Sequence, residues 1–345
     1  MLEPPADLSN ETLVACLQDR YALTISAIEH LPLGHDSAAW VYRVEARDGA
    51  AYFLKLRLRV TNEAGLLVPR YLQDHGVRHV VAPLLTVDGV LWTRAGAYAV
   101  LLYPFVEGRT GMRQGMTDAQ WVEYGRLLRQ IHETVVRPAV TPELAWRLGR
   151  DTFRPDGADQ VQRLDAEIGE RTYADPLHAE LARSWCSRRA QIRTVHERAR
   201  QFGSQIAALR PPLVLCHADI HTNNVLVDPT SQLWIADWDE TILAPRERDL
   251  MFAIGGISSR HVTPHQEVLF LEGYGPVEVN PLALAYYRCA WAVSDIGAYG
   301  EQVMARPDLG PATRQECVER FESLFEPGSI VDIALGSVIP DAWGR

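Results

Sequence analysis

One segment of the chain, residues 216–239, contains several side chains that could do chemistry together. It has the pattern His217-x-Asp219-x-x-x-x-Asn224, then a segment rich in turn formers, and then Asp237. Carboxylate and amide oxygens are hard ligands that suit Mg²⁺, which is usually held by one or two side chains together with substrate phosphates. An acid that is not a metal ligand could take the proton of a hydroxyl group. These residue types indicate a metal-assisted reaction at a hydroxyl.

A β-hairpin is expected to bring these side chains together. Two short apolar segments, residues 225–227 and 233–235, flank a DPTS segment that has turn chemistry. A hairpin places its open ends side by side, so Asn224 and Asp237 should meet there, close to Asp219. Taken singly, each acid is more common as a solvated loop residue than as a catalyst. The combination and its order are what indicate a site.

Length and composition are those of an ordinary enzyme. The chain has 345 residues, of which 47% are hydrophobic and 23% charged, which is enough for two lobes with buried cores. No apolar segment approaches the roughly 20 residues that span a bilayer, and the first residues lack the features of a secretion signal. Five cysteines without a CxxC pair favour reduced thiols in the cytoplasm.

The net charge of −10 limits the class of partner. A nucleic-acid partner would require a basic surface, and no run of lysines and arginines supplies one, so none is expected. An acidic chain is compatible with a cationic ligand. Acidity that serves solubility alone explains the charge equally well.

The order and spacing of His217, Asp219, Asn224 and Asp237 resemble the catalytic loop and metal-binding aspartate of protein kinases, in the form found in the aminoglycoside phosphotransferase family. Within that family, the IADWDE and APRERDLMF segments are most similar to the spectinomycin phosphotransferase branch. The resemblance extends over about residues 31–299. It implies an α+β, bilobal, protein-kinase-like fold with a small β-rich N-terminal lobe and a larger, mostly helical C-terminal lobe.

The family's hinge between the lobes resembles the LLYPFVEG segment. Backbone groups of Leu102, Tyr103 and Phe105 would hydrogen-bond the adenine ring there. The resemblance thus implies a nucleotide-binding lobe at residues 1–103 and a catalytic and substrate-binding lobe at residues 104–345.

The resemblance also gives a role to Lys55, which lies inside a strand predicted over residues 51–58. On a period-2 strand, Lys55 and Arg57 share one face. An amphipathic edge strand with both cations exposed is one interpretation. The resemblance instead implies the lysine that contacts the α- and β-phosphates of ATP. Glu63, in the next helix, is the only acid placed to pair with it, although a glycine and a proline interrupt that helix.

The implied reaction is phosphoryl transfer from ATP, with GTP as an alternative donor, to a hydroxyl of a small cationic molecule. Asn224 and Asp237 would hold Mg²⁺, and Asp219 would accept the hydroxyl proton. An aminoglycoside or spectinomycin-like acceptor would make this an antibiotic-resistance enzyme. A metabolic kinase for choline, homoserine or a sugar shares the chemistry. A nucleotide-binding pseudokinase is disfavoured, because the residues of the motif are intact. Monomer and dimer remain open.

The acceptor would contact the catalytic side of the chain. Carboxylates would pair with its ammonium groups, and an aromatic ring would add a cation–π contact. The candidates are Asp239, Glu240, Trp291 and Asp295. A core position for Trp291 and a surface position for Asp295 form the alternative.

Two further polar residues are assigned to structure. Asp249 resembles the family's structural acid, which braces the catalytic loop. His132 ends an apolar helix face, where a histidine is more often a packed core residue than a ligand.

Overall fold

The computed structural model describes residues 4–5, 7–31, 39–60, 62–136, 142–169, 171–258, 262–306 and 309–339. Residue contacts divide the chain into two compact units. The first unit comprises Met1–Glu123, Glu133–Gly149 and His217–Ile242, and the second comprises Tyr124–His132, Arg150–Cys216 and Leu243–Arg345. The segment with the predicted catalytic pattern therefore belongs to the same unit as the N-terminal strands.

An antiparallel sheet of five strands forms the N-terminal part of the first unit. Its strands are β1 (Ile25–Leu31), β2 (Ala39–Ala46), β3 (Ala51–Arg57), β4 (Thr93–Ala95) and β5 (Tyr98–Pro104). Across the sheet they follow the order β1-β2-β3-β5-β4, so that β3 is central. Helix α1 (Asn10–Tyr21) begins after the N-cap Ser9 and packs on the sheet. Its residues Leu13 and Leu17 are buried with Leu54 and Leu56 of β3.

The hairpin predicted from the turn-forming segment is confirmed. A second sheet of the first unit consists of β6 (Arg109–Thr110), β8 (Val225–Val227) and β9 (Leu233–Ile235). Val225 pairs with Ile235 at the open end of the hairpin. At the closed end, Asp228 Oδ1 accepts the backbone N–H groups of Thr230 and Gln232 at 2.8 and 2.9 Å. This is the local hydrogen bonding by which aspartate shapes a turn.

Short helices complete the first unit. They are α2 (Ala64–Asp74), α3 (Gly111–Gln114) and α5 (Pro142–Arg147), and α4 (Asp118–Glu133) runs from the first unit into the second. The side chains of Thr117 and Gln120 each accept the other's backbone N–H, at 3.3 and 2.9 Å, which forms a capping box at the start of α4. Helix α2 continues through Pro69, and the interruption expected there does not occur.

The second unit is mostly helical. Its helices are α6 (Ala158–Glu167), α7 (Pro176–Leu209), α8 (Glu247–Leu250), α9 (Pro264–Tyr274), α10 (Pro281–Met304), α11 (Pro311–Ser323) and α12 (Ile330–Gly336), and β7 (Val214–Cys216) pairs with β10 (Ile242–Ala244). Asp175 and Asn280 cap α7 and α10, each followed by a proline in the first turn. Both helices contribute to one apolar core, in which Trp185 stacks on Phe321.

The architecture confirms the predicted α+β class, with an antiparallel sheet in the N-terminal region and helices in the C-terminal region. Within the described ranges, no helix combines the length and apolar character that crossing a bilayer requires.

Candidate active site

The predicted catalytic loop is held at the open end of the hairpin by His217. Its imidazole is fully buried, with Nε2 3.0 Å from the Ala236 carbonyl and Nδ1 3.3 Å from the backbone N–H of Asp219. A ring protonated at Nε2 satisfies both contacts, since it donates to Ala236 and accepts from Asp219. The ring also lies 4.5 Å from that of Trp238. His217 therefore connects the loop to the strand end and has a positioning role.

Asn224 orients Asp219. The amide Nδ2 of Asn224 donates to the Asp219 backbone carbonyl at 2.7 Å and to its carboxylate Oδ2 at 2.9 Å. The other carboxylate oxygen, Oδ1, lies 3.3 Å from His221 Nε2. Because both donations come from Nδ2, the orientation of the amide is fixed, and Oδ1 is the atom that could serve as a metal ligand. The structure thus joins the predicted base and one predicted metal ligand.

Asp237 leaves the hairpin in a strained conformation. The Ala236 N–H donates to the Asn224 carbonyl at 2.9 Å and extends the ladder by one bond. The next residue, Asp237, has a φ of 62°, in the left-handed region that residues other than glycine seldom adopt. Its side chain is 49% exposed. Residues held in such conformations concentrate at ligand sites, where the surrounding structure enforces them.

The oxygen donors at this end of the hairpin fit a divalent cation. Asn224 Oδ1 and the Asp237 carboxylate are two hard ligands, which is the number that proteins usually give to Mg²⁺ when phosphates complete its shell. The carboxylate is partly open to solvent, so a hydrated ion can reach it.

Lys55 is far less exposed than an edge-strand cation would be. It lies on the central strand β3 with its side chain only 13% exposed, which excludes the edge-strand interpretation. Its Nζ lies 3.3 Å from Asp237 Oδ1 and 2.7 Å from Asp239 Oδ2. Burial by itself would lower the pKa of Lys55, but the two carboxylates outweigh it and raise that pKa above its usual value.

Asp239 lies among cations of β3, whereas the sequence predicted a substrate contact. The same oxygen that accepts from Lys55 also lies 3.1 Å from Arg57 Nη1. Burial favours the neutral acid, but the charges of Lys55 and Arg57 prevail, so the pKa of Asp239 is lowered. Lys55, Arg57, Asp237 and Asp239 are named the charged cluster below.

Glu63 does not meet Lys55 in this structure. It is the N-cap residue of α2, and its carboxylate accepts from the guanidinium of Arg147 at the end of α5. Helix α2 instead contacts residues 237–239, named the aspartate segment below, through its backbone and through the preceding residue Asn62. The Nδ2 of Asn62 donates to the Asp239 carbonyl at 2.7 Å. A Cβ on Gly65 would lie only 2.8 Å from the Trp238 carbonyl oxygen, so this close approach requires glycine.

The residues predicted for the hinge lie at the end of β5. The Leu102 carbonyl accepts from the Leu84 N–H at 2.7 Å, and the Phe105 N–H donates to the Ala51 carbonyl at 3.1 Å. Both backbone groups are thus engaged within the protein. Tyr103 is partly buried, and burial, followed by the charges of Asp239 and Asp237, raises the pKa of its phenol well above the usual value. Adenine recognition at these residues stays a prediction.

The remaining substrate candidates are divided between the units. Glu240 is exposed in the first unit. In the second unit, Trp291 is partly buried, meets Phe252 edge-on at 5.0 Å, and has the Arg248 guanidinium over its ring at 5.6 Å. An internal cation therefore already uses one face of Trp291. Asp295, one turn later on α10, is partly buried, and after burial its charge is the main cause of the raised pKa of Tyr299.

The two residues assigned to structure meet in the second unit. His132 Nε2 lies 3.0 Å from Asp249 Oδ2, and His132 Nδ1 lies 2.7 Å from the Tyr274 hydroxyl. Asp249 is fully buried, and the side chain of His132 is 3% exposed. A core position for His132 is confirmed.

Sequence reasoning did not identify three residues of this site. Arg57 was noted only as the neighbour of Lys55 on one strand face, and that alternation was the available signal. For Asn62 and Gly65, the sequence shows only a polar residue and a glycine near the start of a helix, and neither indicates a role in this site. Their partners, Trp238 and Asp239, are more than 170 positions away in the chain.

Comparisons with known proteins identify a family and similar structures. The profile described as "Phosphotransferase enzyme family" matches residues 29–287. The chain is similar to the crystal structure of the spectinomycin phosphotransferase APH(9)-Ia in complex with ADP and spectinomycin, with 30% identity, a TM-score of 0.85, and coverage of 96% of this chain and 99% of that one. The AMP-bound complex of APH(9)-Ia gives 30% identity, a TM-score of 0.81, and coverage of 95% and 98%.

A more distant structure shares the fold. The amicoumacin kinase hAmiN in complex with AMP-PNP, Ca²⁺ and Ami has 15% identity and a TM-score of 0.60, with coverage of 96% of this chain and 95% of that one. A sequence comparison with the curated proteins gives no match.

Proposed function

This chain belongs to the phosphotransferase enzyme family, and we propose that it transfers the γ-phosphate of ATP to a hydroxyl group of a spectinomycin-like aminocyclitol. One observation carries the proposal. Similarity to the spectinomycin phosphotransferase crystallised with ADP and spectinomycin extends over 96% of this chain. The net charge of −10 is compatible with a cationic acceptor. Phosphorylation of such an antibiotic would give resistance to it.

Magnesium and ATP would be held by the first unit. When bound, they supply the phosphoryl group and neutralise the charge that develops on its oxygens. Asn224 and Asp237 offer two hard oxygen ligands for the metal. Lys55 offers a cation for the phosphates, and its side chain is already immobilised by ion pairs.

Asp219 would accept the proton of the acceptor hydroxyl. The 2.9 Å hydrogen bond from Asn224 holds its carboxylate in one orientation, so the base is positioned before the acceptor arrives. The transition state of phosphoryl transfer is loose, so we expect positioning to contribute more than the basicity of this carboxylate.

The boundary between the two functional lobes would lie at about Tyr103. We assign the contacts with adenine and with the phosphates to a nucleotide-binding lobe at residues 1–103, with adenine at the end of β5, and metal binding, catalysis and acceptor binding to residues 104–345. Glu240, Trp291 and Asp295 are the proposed acceptor contacts. The reaction would take place in the cytoplasm, where ATP is supplied.

The test is an ADP-release assay with Mg-ATP and a panel of acceptors. The panel contains spectinomycin, several aminoglycosides, choline, ethanolamine and homoserine, and Asp219→Asn is the isosteric control. We expect turnover with spectinomycin that the control lacks, while ATP still raises the melting temperature of the control. Turnover only with a metabolite would keep the phosphotransferase assignment and overturn the acceptor. Unchanged turnover in the control would overturn the role of Asp219.

A further inference from the structure

The ion pairs of β3 give Lys55 a different partner from the one that the family resemblance implies. Asp239 Oδ2 accepts from both Lys55 and Arg57, at 2.7 and 3.1 Å. Glu63, the partner expected from helix α2, is paired with Arg147. The carboxylate nearest to the buried lysine thus comes from the segment that follows the hairpin.

We propose that Asp239 is the positioning residue that holds Lys55 for the nucleotide phosphates, and that Arg57, held by the same oxygen, is a second cation of the phosphate site. The proposal rests on the nucleotide binding proposed above and is independent of the acceptor. Asp239 acts through Lys55 and Arg57 and is not itself assigned a contact with the nucleotide.

The two aspartates of the charged cluster differ in a way that supports separate roles. The side chain of Asp237 is 49% exposed and lies 3.3 Å from Lys55. That of Asp239 is 24% exposed and lies 2.7 Å from the same nitrogen. A metal ion that takes Asp237 as a ligand would compete with Lys55 for its oxygens. Asp239 would then remain as the carboxylate that keeps the lysine in place.

The backbone of Asp239 is fixed from two sides. Its carbonyl accepts from Asn62 Nδ2 at 2.7 Å, and the preceding residue, Trp238, is 2% exposed and packs on His217. The Trp238 carbonyl oxygen lies against Gly65, where even a Cβ would approach to 2.8 Å. Helix α2 therefore supports Lys55 indirectly, because it holds the segment that carries Asp239. A carboxylate fixed in this way loses little further conformational freedom when it orients a lysine.

The charges of the cluster fit a phosphate site. Two cations face two aspartates, so that each charge is compensated, and the side chains of Lys55, Arg57 and Asp239 stay mostly buried while that of Asp237 is half exposed. Phosphate oxygens can accept hydrogen bonds from the ammonium and guanidinium groups without removing Asp239, because Lys55 has three donors and Arg57 has five.

The experiment compares Asp239→Asn with Glu63→Gln, which removes one charge in the same way from the other candidate. The measured quantities are the Kd of Mg-ATP, obtained by calorimetry, and kcat and the KM for ATP. We expect Asp239→Asn to raise Kd and KM by about 10- to 100-fold, the range for a lost charged hydrogen bond. We expect Glu63→Gln to change both by less than about 3-fold.

A double-mutant cycle shows whether Asp239 acts through the lysine. In a Lys55→Met background, Asp239→Asn should raise the Kd by much less than it does in the wild-type protein, because only Arg57 is then left for Asp239 to position. Additive losses in the cycle would overturn the proposal. Equal losses in the two single variants, or a changed Mg²⁺ requirement with an unchanged KM for ATP, would overturn it as well.

Further variants keep the inference testable if Asp239→Asn does not fold. Asn62→Ala, which removes the donor to the Asp239 carbonyl, should raise the KM for ATP by about 3-fold with a similar melting temperature. An unchanged KM in that variant would count against the proposal. Failure of the wild-type enzyme to bind Mg-ATP would instead overturn the proposed function, since the inference predicts a difference between variants of an enzyme that binds nucleotide.

Discussion

The charged cluster of the first unit and the buried pair His132–Asp249 of the second unit both contain an aspartate beside a nitrogen base or cation, but they differ in exposure to solvent. In the charged cluster, Asp237 is half exposed, so a metal or a phosphate can replace one of its partners. In the buried pair, Asp249 is fully buried and His132 nearly so. Loss of a partner there leaves charge or polarity without water to solvate it. Exposure, rather than residue type, therefore separates a site that can exchange partners from a contact that stabilises the fold.

The largest expected effect is on the buried pair. His132→Ala removes the imidazole between Asp249 and the Tyr274 hydroxyl and should lower the free energy of unfolding by about 3–5 kcal/mol, because two buried polar groups each lose a hydrogen bond and a cavity is left in the core. Chemical denaturation measures this. His75→Ala, at an exposed helix end, is the control and should cost about 0.5 kcal/mol. Equal effects of the two variants would remove the contrast between the regions.

The second-largest effect is expected for a variant of the charged cluster, as a loss of activity. Asp237→Asn keeps the shape of the side chain and suits the left-handed φ of 62°. We expect kcat/KM to fall by about 100- to 1000-fold, as for the loss of one preorganised electrostatic contact. The free energy of unfolding should change by less than about 1 kcal/mol. A large loss of stability with little loss of activity would place Asp237 in the same class as Asp249.

A smaller effect tests how tightly helix α2 holds the aspartate segment. Gly65→Ala places a Cβ 2.8 Å from the Trp238 carbonyl and 3.1 Å from the Asp239 Cα, and both atoms are backbone and must shift. We expect about a tenfold loss of kcat/KM, because a small misplacement in an active site is costly. Gly336→Ala is the control, since nothing lies within 4 Å of its Cβ position. Full activity of Gly65→Ala would show that the contact does not position the cluster.

The smallest effect is on a partly exposed ion pair of the second unit. Burial alone would raise the pKa of Asp165, but hydrogen bonds from Trp185 and Arg193 outweigh it, and the pKa lies below the usual 3.8. The folded state therefore binds fewer protons, so the contribution is present above about pH 4 and is lost as the pH falls through the lowered pKa.

Asp165→Asn tests this contribution, since an amide oxygen can still accept from Trp185. The variant should lose about 0.5–1 kcal/mol of stability at pH 7. Denaturation at several pH values should show that the difference from the wild type vanishes in acid. A difference that is the same at pH 3 and pH 7 would contradict the assignment of the effect to the carboxylate charge.

The parts of the site that are local in sequence could be predicted. The hairpin, its turn at Asp228 and the positions of Asn224 and Asp237 follow from a contiguous segment, in which apolar runs and turn formers determine the geometry. The Asn224–Asp219 contact also joins residues only five positions apart. The α+β fold came from the family resemblance and not from these patterns.

The partner of Lys55 could not be predicted, because it depends on how distant segments pack. Lys55 and Asp239 are separated by 184 positions, and no local pattern couples them. The prediction chose Glu63, which is closer in sequence and in the expected helix, but its side chain is paired with Arg147. Gly65 and Pro69 were expected to interrupt helix α2. The structure keeps it continuous, since tertiary packing can outweigh local propensity.

The proximity of Asp237 and Asp239, on either side of the buried Trp238, has a thermodynamic consequence. If Asp237 binds the metal and Asp239 holds the cations that contact the phosphates, the sites of both ligands depend on a single segment of three residues. Each ligand then changes the other's affinity by the same factor, as linkage requires. Coupling between metal binding and nucleotide binding in this enzyme would thus require no movement of lobes. It would require only that the backbone of residues 237–239 is rigid.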